Sequence, residues 1–171
     1  MGLRELLAEI TKEINQECVS NSCSGDGCRV YLTDVPSDRV IVNLECEFER
    51  RKISTRRCDY ILFCRDTSQS NLVVVLIELK SGGFKTSAIT DQLQGAADFV
   101  TDIFRKLPKG ANAALSTLEI TCVPALFHGK GIDRFQLREL ERSKVRFFGQ
   151  NTAIQRRKCG EPKNLASVLQ G

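Results

Sequence analysis

Apolar positions are densest in residues 72–79, LVVVLIEL, where Glu78 is the sole polar interruption. An apolar run of that length, bounded by turn-forming residues, predicts a strand buried on both faces. Residues 58–65, CDYILFCR, predict a second strand, and the polar segment Asp66 to Asn71 predicts the turn of a β-hairpin. A loop of residues 67–70 would set Asp66 against Asn71. Arg65 then faces Leu72, Phe63 faces Val74, Ile61 faces Leu76 and Asp59 faces Glu78. Opposed residues share a sheet face and side chains alternate along a strand. Lys80 therefore joins Asp59 and Glu78, while Leu79 points the other way. A register slip of one residue would separate them.

The remaining pattern surrounds this hairpin with helices and further strands. Leu3, Leu6, Leu7, Ile10 and Ile14 recur at helical spacing and predict a helix over residues 3–17, with Glu5, Glu9, Glu13 and Glu17 on another face. Residues 18–28 read as a loop, and residues 29–35 and 39–49 as extended. In the latter, Val40, Val42, Leu44, Cys46 and Phe48 alternate with Ile41, Asn43, Glu45, Glu47 and Glu49, which predicts a half-buried strand with outward-facing acids. Thr86 or Ser87 caps a helix running to Lys106, whose stripe is Ile89, Leu93, Ala96, Ala97, Val100, Ile103, Phe104 and Leu107. Leu107-Pro108-Lys109-Gly110 stops it. A strand follows over residues 118–127, with a bulge or unpaired position at Pro124. After a loop at residues 128–131 come a helix over 132–142 with Phe135, Leu137 and Leu140 as apolar contacts, a strand over 144–149, a basic loop and a terminal helix over 163–170. This order predicts an α/β (mixed α+β) fold with a mixed central sheet and helices on both faces.

The chain has 171 residues, of which 42% are hydrophobic and 27% charged, as expected of a single domain spanning residues 1–171. No apolar run is long enough for a membrane span, and the N-terminus lacks the continuous apolar segment of a secretory signal. The eight cysteines, spread through strands, read as small buried hydrophobes in a reduced, cytoplasmic protein. Cys18, Cys23 and Cys28 are spaced too widely for typical zinc pairs and have no fourth ligand close by. The net charge of +4 is compatible with nucleic acid. Its distribution says more: Arg50, Arg51, Lys52, Arg56 and Arg57 precede the Asp59 strand, and Arg156, Arg157 and Lys158 cluster near the C-terminus.

Two carboxylates beside an ammonium suit a divalent cation with oxygen ligands, because Mg²⁺ takes one or two carboxylates and completes its shell with water and phosphate. A plain strand-end ion pair between Glu78 and Lys80 is the competing reading. The pattern Asp59, then Glu78-x-Lys80 at the end of an apolar strand, resembles the restriction-endonuclease-like superfamily of PD-(D/E)xK nucleases. Gln92 falls where many members carry a glutamine on the following helix. Cys58 replaces the family's proline, and Ala96 replaces the tyrosine of exonuclease-type members.

The resemblance covers residues 3–149 and implies a restriction-endonuclease-like core. It also implies Mg²⁺ (or Mn²⁺) held by Asp59 and Glu78, with Lys80 and Gln92 completing the catalytic set. DNA is the implied partner, with RNA as the other polymer, and Arg50, Arg51, Lys52, Arg56 and Arg57 grip its backbone. A homodimer or a larger assembly suits so small a nuclease. Glu9 or Glu13 would contribute a further metal ligand in one reading and a solvated acidic face in the plainer one. His128 is a general base in one reading and a solvated loop residue in the other. The alternative function is a catalytically inactive module of the same fold that binds nucleic acid or a protein.

Overall fold

The computed structural model describes residues 1–66 and 71–170. Its strands are β1 (Val19–Ser20), β2 (Arg39–Asn43), β3 (Tyr60–Arg65), β4 (Leu72–Lys80), β5 (Ile120–His128), β6 (Lys144–Phe147), β7 (Gln150–Ala153) and β8 (Gln155–Lys158). Its helices are α1 (Leu3–Lys12), α2 (Leu44–Arg51), α3 (Thr86–Lys106), α4 (Lys109–Thr117), α5 (Arg134–Arg142) and α6 (Asn164–Leu169). The fold is mixed α/β. Six strands form one sheet in the order β1-β2-β3-β4-β5-β8, antiparallel from β1 to β4 and parallel from β4 through β5 to β8. β6 and β7 form a separate antiparallel pair.

Strand β4 lies near the middle of this sheet and divides the core in two. Its Leu72, Val74 and Leu76 pack with Ile61, Phe63 and Leu126 against Leu6 and Ile10 of α1 and Ile89, Leu93, Val100 and Ile103 of α3. Its Val73, Val75, Ile77 and Leu79 pack with Leu62, Cys64 and Phe127 against loop residues Cys23, Val30 and Val35 and against Leu165 and Val168 of α6. Each fully buried aliphatic or aromatic side chain contributes about 1.5–3 kcal/mol. Burial on both faces explains why β4 is almost uniformly apolar instead of alternating.

The hairpin register agrees with the sequence pattern within the ladder, while the expected Asp59–Glu78 pair falls just outside it, the Asp59 N–H donating to the Ile77 carbonyl instead. Arg65 pairs with Leu72, Phe63 with Val74 and Ile61 with Leu76. The Asp66 N–H donates to the Asn71 carbonyl at 2.9 Å. The predicted loop, residues 67–70, lies outside the described residues.

Several sequence expectations are corrected. The strand expected over 39–49 ends at Asn43, whose side chain accepts from the Cys46 N–H at 3.1 Å and caps α2. Acids then occupy the first turn and Arg50 and Arg51 the last, which suits the helix dipole. Leu44 and Phe48, four apart, are buried on one side of α2. The alternating pattern there was the edge of a helix pattern, and the cap decided between them. Glu47 does not face outward: it is 0% exposed and accepts from Asn15 N (2.6 Å), Asn15 Nδ2 (2.7 Å) and Arg51 Nε (3.1 Å). Glu45 is exposed, as expected.

The first helix stops at Lys12 and is followed by a 3₁₀ turn, Gln16–Cys18, while residues 29–35 form no strand. Pro108 ends α3 and also serves as the N-cap of α4, which the sequence reading missed. Phe135 is 70% exposed and is no core residue. The basic segment at 156–158 is edge strand β8, not a loop.

The expectation of reduced cysteines is also corrected. Disulfides join Cys18 to Cys46 and Cys28 to Cys159, leaving Cys23, Cys58, Cys64 and Cys122 as buried thiols. The second bridge closes 131 positions of chain, a constraint on the unfolded state of about 5 kcal/mol. Among the described residues, no helix is long and apolar enough to cross a membrane.

The connection from α2 to β3 is seated on α3 at Gly95. A Cβ there would lie 1.7 Å from the Arg56 carbonyl oxygen. Backbone cannot yield as a flexible side chain would, so Gly95→Ala is expected to destabilise the fold by at least about 1–3 kcal/mol in urea unfolding. Gly110, in α4, would meet nothing closer than Met1 Cε at 3.8 Å. Gly110→Ala should therefore gain up to about 1 kcal/mol from helix propensity alone. Equal effects of the two changes would contradict this packing.

Candidate functional site

The site is assembled where β3 begins and β4 ends. Asp59 stands just outside the β3–β4 ladder. Its N–H donates to the Ile77 carbonyl at 3.0 Å, and its Oδ2 accepts from the Leu79 N–H at 2.8 Å. A carboxylate oxygen thus takes the place of a strand carbonyl, which fixes the aspartate against the partner strand. Glu78 is 1% exposed, and its Oε1 forms an ion pair with Lys80 Nζ at 3.2 Å. The Asp59 and Glu78 carboxyl groups lie within hydrogen-bonding reach of each other. Glu78 Oε2 is buried and has no donor among the described residues.

Burial governs the electrostatics. It pushes the Glu78 carboxyl up to about 8, with the Asp59 charge adding and Lys80 opposing. Asp59 is also raised, first by burial, while the Leu79 N–H, Glu78 and Lys80 pull it back. Without a cation, one proton therefore resides on the pair, and Glu78 is its natural holder.

A third acid, Asp26, acts on Asp59 and was not singled out from the sequence. Its charge pushes Asp59 upward. Gly25 and Cys28 exchange backbone hydrogen bonds of 3.1 and 2.8 Å, with Asp26 and Gly27 between them at φ +50° and +72°. This is the tight hairpin turn that an Asp-Gly pair favours, so the signal was present in the sequence. A Cβ on Gly27 would lie 3.7 Å from Ser81 Cβ, which seats the turn on the residue after Lys80. The Tyr60 hydroxyl donates to the Ser24 carbonyl at 3.2 Å and anchors the same turn from beneath.

Of the sequence-predicted residues, Asp59, Glu78 and Lys80 are brought together. Gln92 lies on α3 one turn before Gly95, and its Oε1 is buried without a donor among the described residues. It is not hydrogen-bonded to those three. The basic run is not one open patch. Arg50 pairs with Glu17 at 2.6 Å, and Arg51 binds Glu47 and the Glu13 carbonyl and lies over the Phe99 ring. Arg57 approaches Glu45 at 3.8 Å and lies over Phe48. Lys52 and Arg56 remain exposed.

Glu9 pairs with Lys12 at 2.7 Å, and neither Glu9 nor Glu13 is among the charges acting on Asp59 or Glu78. His128 is not a solvated loop residue: it ends β5, is 7% exposed and places Nδ1 2.8 Å from the Lys130 carbonyl. Cys18 and Cys28 are bound in separate disulfides and Cys23 is a buried thiol, so the three do not form a zinc site. Among the described residues, no group of three or more His, Cys, Asp or Glu side chains is placed to hold a metal.

No protein-family model, curated protein or solved structure matches this chain.

The raised Glu78 carboxyl has a direct consequence for stability. A group that binds its proton more tightly when folded contributes stability below its ordinary value of 4.5, and that contribution is lost as pH rises through about 8. In metal-free buffer, the urea midpoint should fall between pH 5 and pH 9. Glu78→Gln removes the titrating group, so its profile should be flatter and it should exceed the parent protein at pH 9. Parallel profiles would contradict the buried pair.

Proposed function

We propose that the chain is a metal-dependent nuclease that hydrolyses phosphodiester bonds of DNA, acting as an endonuclease on a restriction-endonuclease-like core. The observation that carries this reading is the convergence of Asp59, Glu78 and Lys80 at one end of a buried hairpin, with one Glu78 oxygen left bare. The element order supports it. The first helix, the antiparallel strands ending in the β3–β4 hairpin, the long helix α3 and strand β5 parallel to β4 follow the order that the motif resemblance implies, with α2 inserted between β2 and β3 and α4 between α3 and β5.

The donor set fits a hard divalent cation. All available ligand atoms are carboxylate oxygens, and Glu78 Oε2 is a buried acceptor that requires either a proton or a cation. Two carboxylates suffice for Mg²⁺ or Mn²⁺ when water and a substrate phosphate supply the remaining oxygens. Asp59 and Glu78 would hold the ion, which when bound supplies Lewis acidity and a more acidic water.

The chain's own groups then divide the work. The Leu79 N–H holds the Asp59 carboxylate in place. Lys80, partly exposed beside Glu78 Oε1, is the cation able to meet a phosphate oxygen. Gln92 Oε1 has acceptor capacity to orient a water. Lys52 and Arg56 are the members of the basic run free to touch a phosphate backbone, a contact that is independent of base sequence.

The test is incubation with linear, circular and single-stranded DNA in Mg²⁺ or Mn²⁺, with EDTA as control. Cleavage of the circular form is expected. Asp59→Asn, Glu78→Gln and Lys80→Met should each reduce it by at least about 100-fold. Their combination should cost little more than one alone, because the groups act as a unit. Full activity in Glu78→Gln would overturn the nuclease reading.

A further inference from the structure

We propose that Lys80, Lys158 and Arg156 form a phosphate track across the carboxyl ends of β4, β5 and β8, holding the sugar-phosphate backbone of the nucleic-acid strand that enters or leaves the Asp59–Glu78 site. This rests on the nuclease reading and adds the surface on which the strand runs.

The register makes the track. Lys80 pairs with His128 across β4 and β5, and His128 pairs with Lys158 across β5 and β8. One step back, Glu78 pairs with Leu126 and Leu126 with Arg156. Residues in register on neighbouring strands share a sheet face, so Lys80, Lys158 and Arg156 all stand on the face that carries Glu78. Adjacent strands are about 4.8 Å apart, which places the edge cations roughly 10 Å from Lys80. These strands are parallel and end together, and the space outside the carboxyl ends of parallel strands is where open α/β sheets bind ligands.

The charge state of each group supports a ligand here. No acid pairs with Arg156 or Lys158 among the described residues, and Lys158 is exposed. Arg157, between them, points to the opposite face and is fully engaged. Its Nε donates to Ser167 Oγ at 2.7 Å, and its terminal nitrogens donate to the Arg156 and Ser167 carbonyls and to Gln155 Oε1. That arginine fastens α6; its two neighbours have no such structural task. His128 lies between Lys80 and Lys158 in register but is 7% exposed, with Nδ1 donating to the Lys130 carbonyl at 2.8 Å, so it spaces the two cations and makes no phosphate contact of its own. Arg50, Arg51 and Arg57, by contrast, are already occupied by acids.

Edge strands often carry lysine to discourage pairing with other chains. That role needs charge on either face. It does not require that the unpaired cations share Lys80's face while the one on the other face is bonded into the fold.

The test is fluorescence anisotropy with a labelled single-stranded oligodeoxynucleotide and the corresponding duplex, in EDTA so that nothing is cleaved, over a series of NaCl concentrations. The Arg156→Gln/Lys158→Gln protein should bind the single strand more weakly, with a log–log salt slope shallower by roughly 1.4, about 0.7 for each lost contact. Arg156→Lys/Lys158→Arg, which keeps the charge, should restore the slope. Lys158→Gln alone, at an exposed position, should remove about half the effect and serves if the double variant does not fold. Wild-type binding with an unchanged slope in the charge-neutral variants would overturn the track and leave the nuclease reading standing. A wild-type protein that binds neither DNA at low salt would overturn both. An unchanged slope on the single strand would overturn the track even where duplex binding weakens.

Discussion

A carboxylate on the most deeply buried strand of the sheet is the constraint from which the rest of the structure follows. Glu78 sits at the end of β4 with apolar neighbours on both faces, where an ionised group without partners would cost several kcal/mol. The chain carries a second buried carboxylate, and the contrast is instructive. Glu47 is 0% exposed and receives two donors from Asn15 and one from Arg51, so both its oxygens are satisfied. Glu78 receives Lys80 on one oxygen and, among the described residues, no donor on the other, and the Asp59 charge acts on it as well. The first arrangement fastens α2 to the loop after α1. The second is left incomplete by the protein itself, which is the arrangement expected where a cation completes it.

The scaffold is built to hold that incomplete site still. The cores on the two faces of β4 fix the strand, and the Ile77 carbonyl and Leu79 N–H fix Asp59 against it. Gly95 allows the segment before Asp59 to lie directly on α3. The turn at residues 25–28 covers the end of β4, and the Cys28–Cys159 bridge ties it to the residue after β8. Asn164 adds to this closure, accepting from the Tyr31 N–H and donating to the Arg29 and Lys158 carbonyls. Elements distant in sequence therefore meet around Lys80, and each is held by hydrogen bonds or covalent linkage.

Much of this was legible in the sequence because the hairpin is governed by local rules. Uniform hydrophobicity, a polar turn and strand alternation placed Asp59, Glu78 and Lys80 together without reference to the rest of the chain. The α3 stripe was legible for the same reason. What was missed depends on a single capping residue or on distant partners. Asn43 turned an alternating run into α2, and Glu47 became a buried acceptor through Asn15, thirty-two positions away. The disulfides join cysteines with no local spacing signal, 28 and 131 positions apart. β8 is short and highly charged, and it pairs only because β5 offers an edge, so its role in the sheet is set by tertiary contact and not by propensity.

The central claim is that the Asp59–Glu78 pair is a cation site. Thermal unfolding in the presence and absence of Mn²⁺ measures it without requiring a substrate. An ion that binds the folded chain raises Tm by linkage, by an amount that grows with ion concentration. The account predicts a concentration-dependent rise in Tm for the wild-type protein at pH 8, and no rise for Asp59→Asn or Glu78→Gln. A wild-type Tm indifferent to Mn²⁺ up to millimolar concentrations, or a rise that persists in both variants, would contradict it.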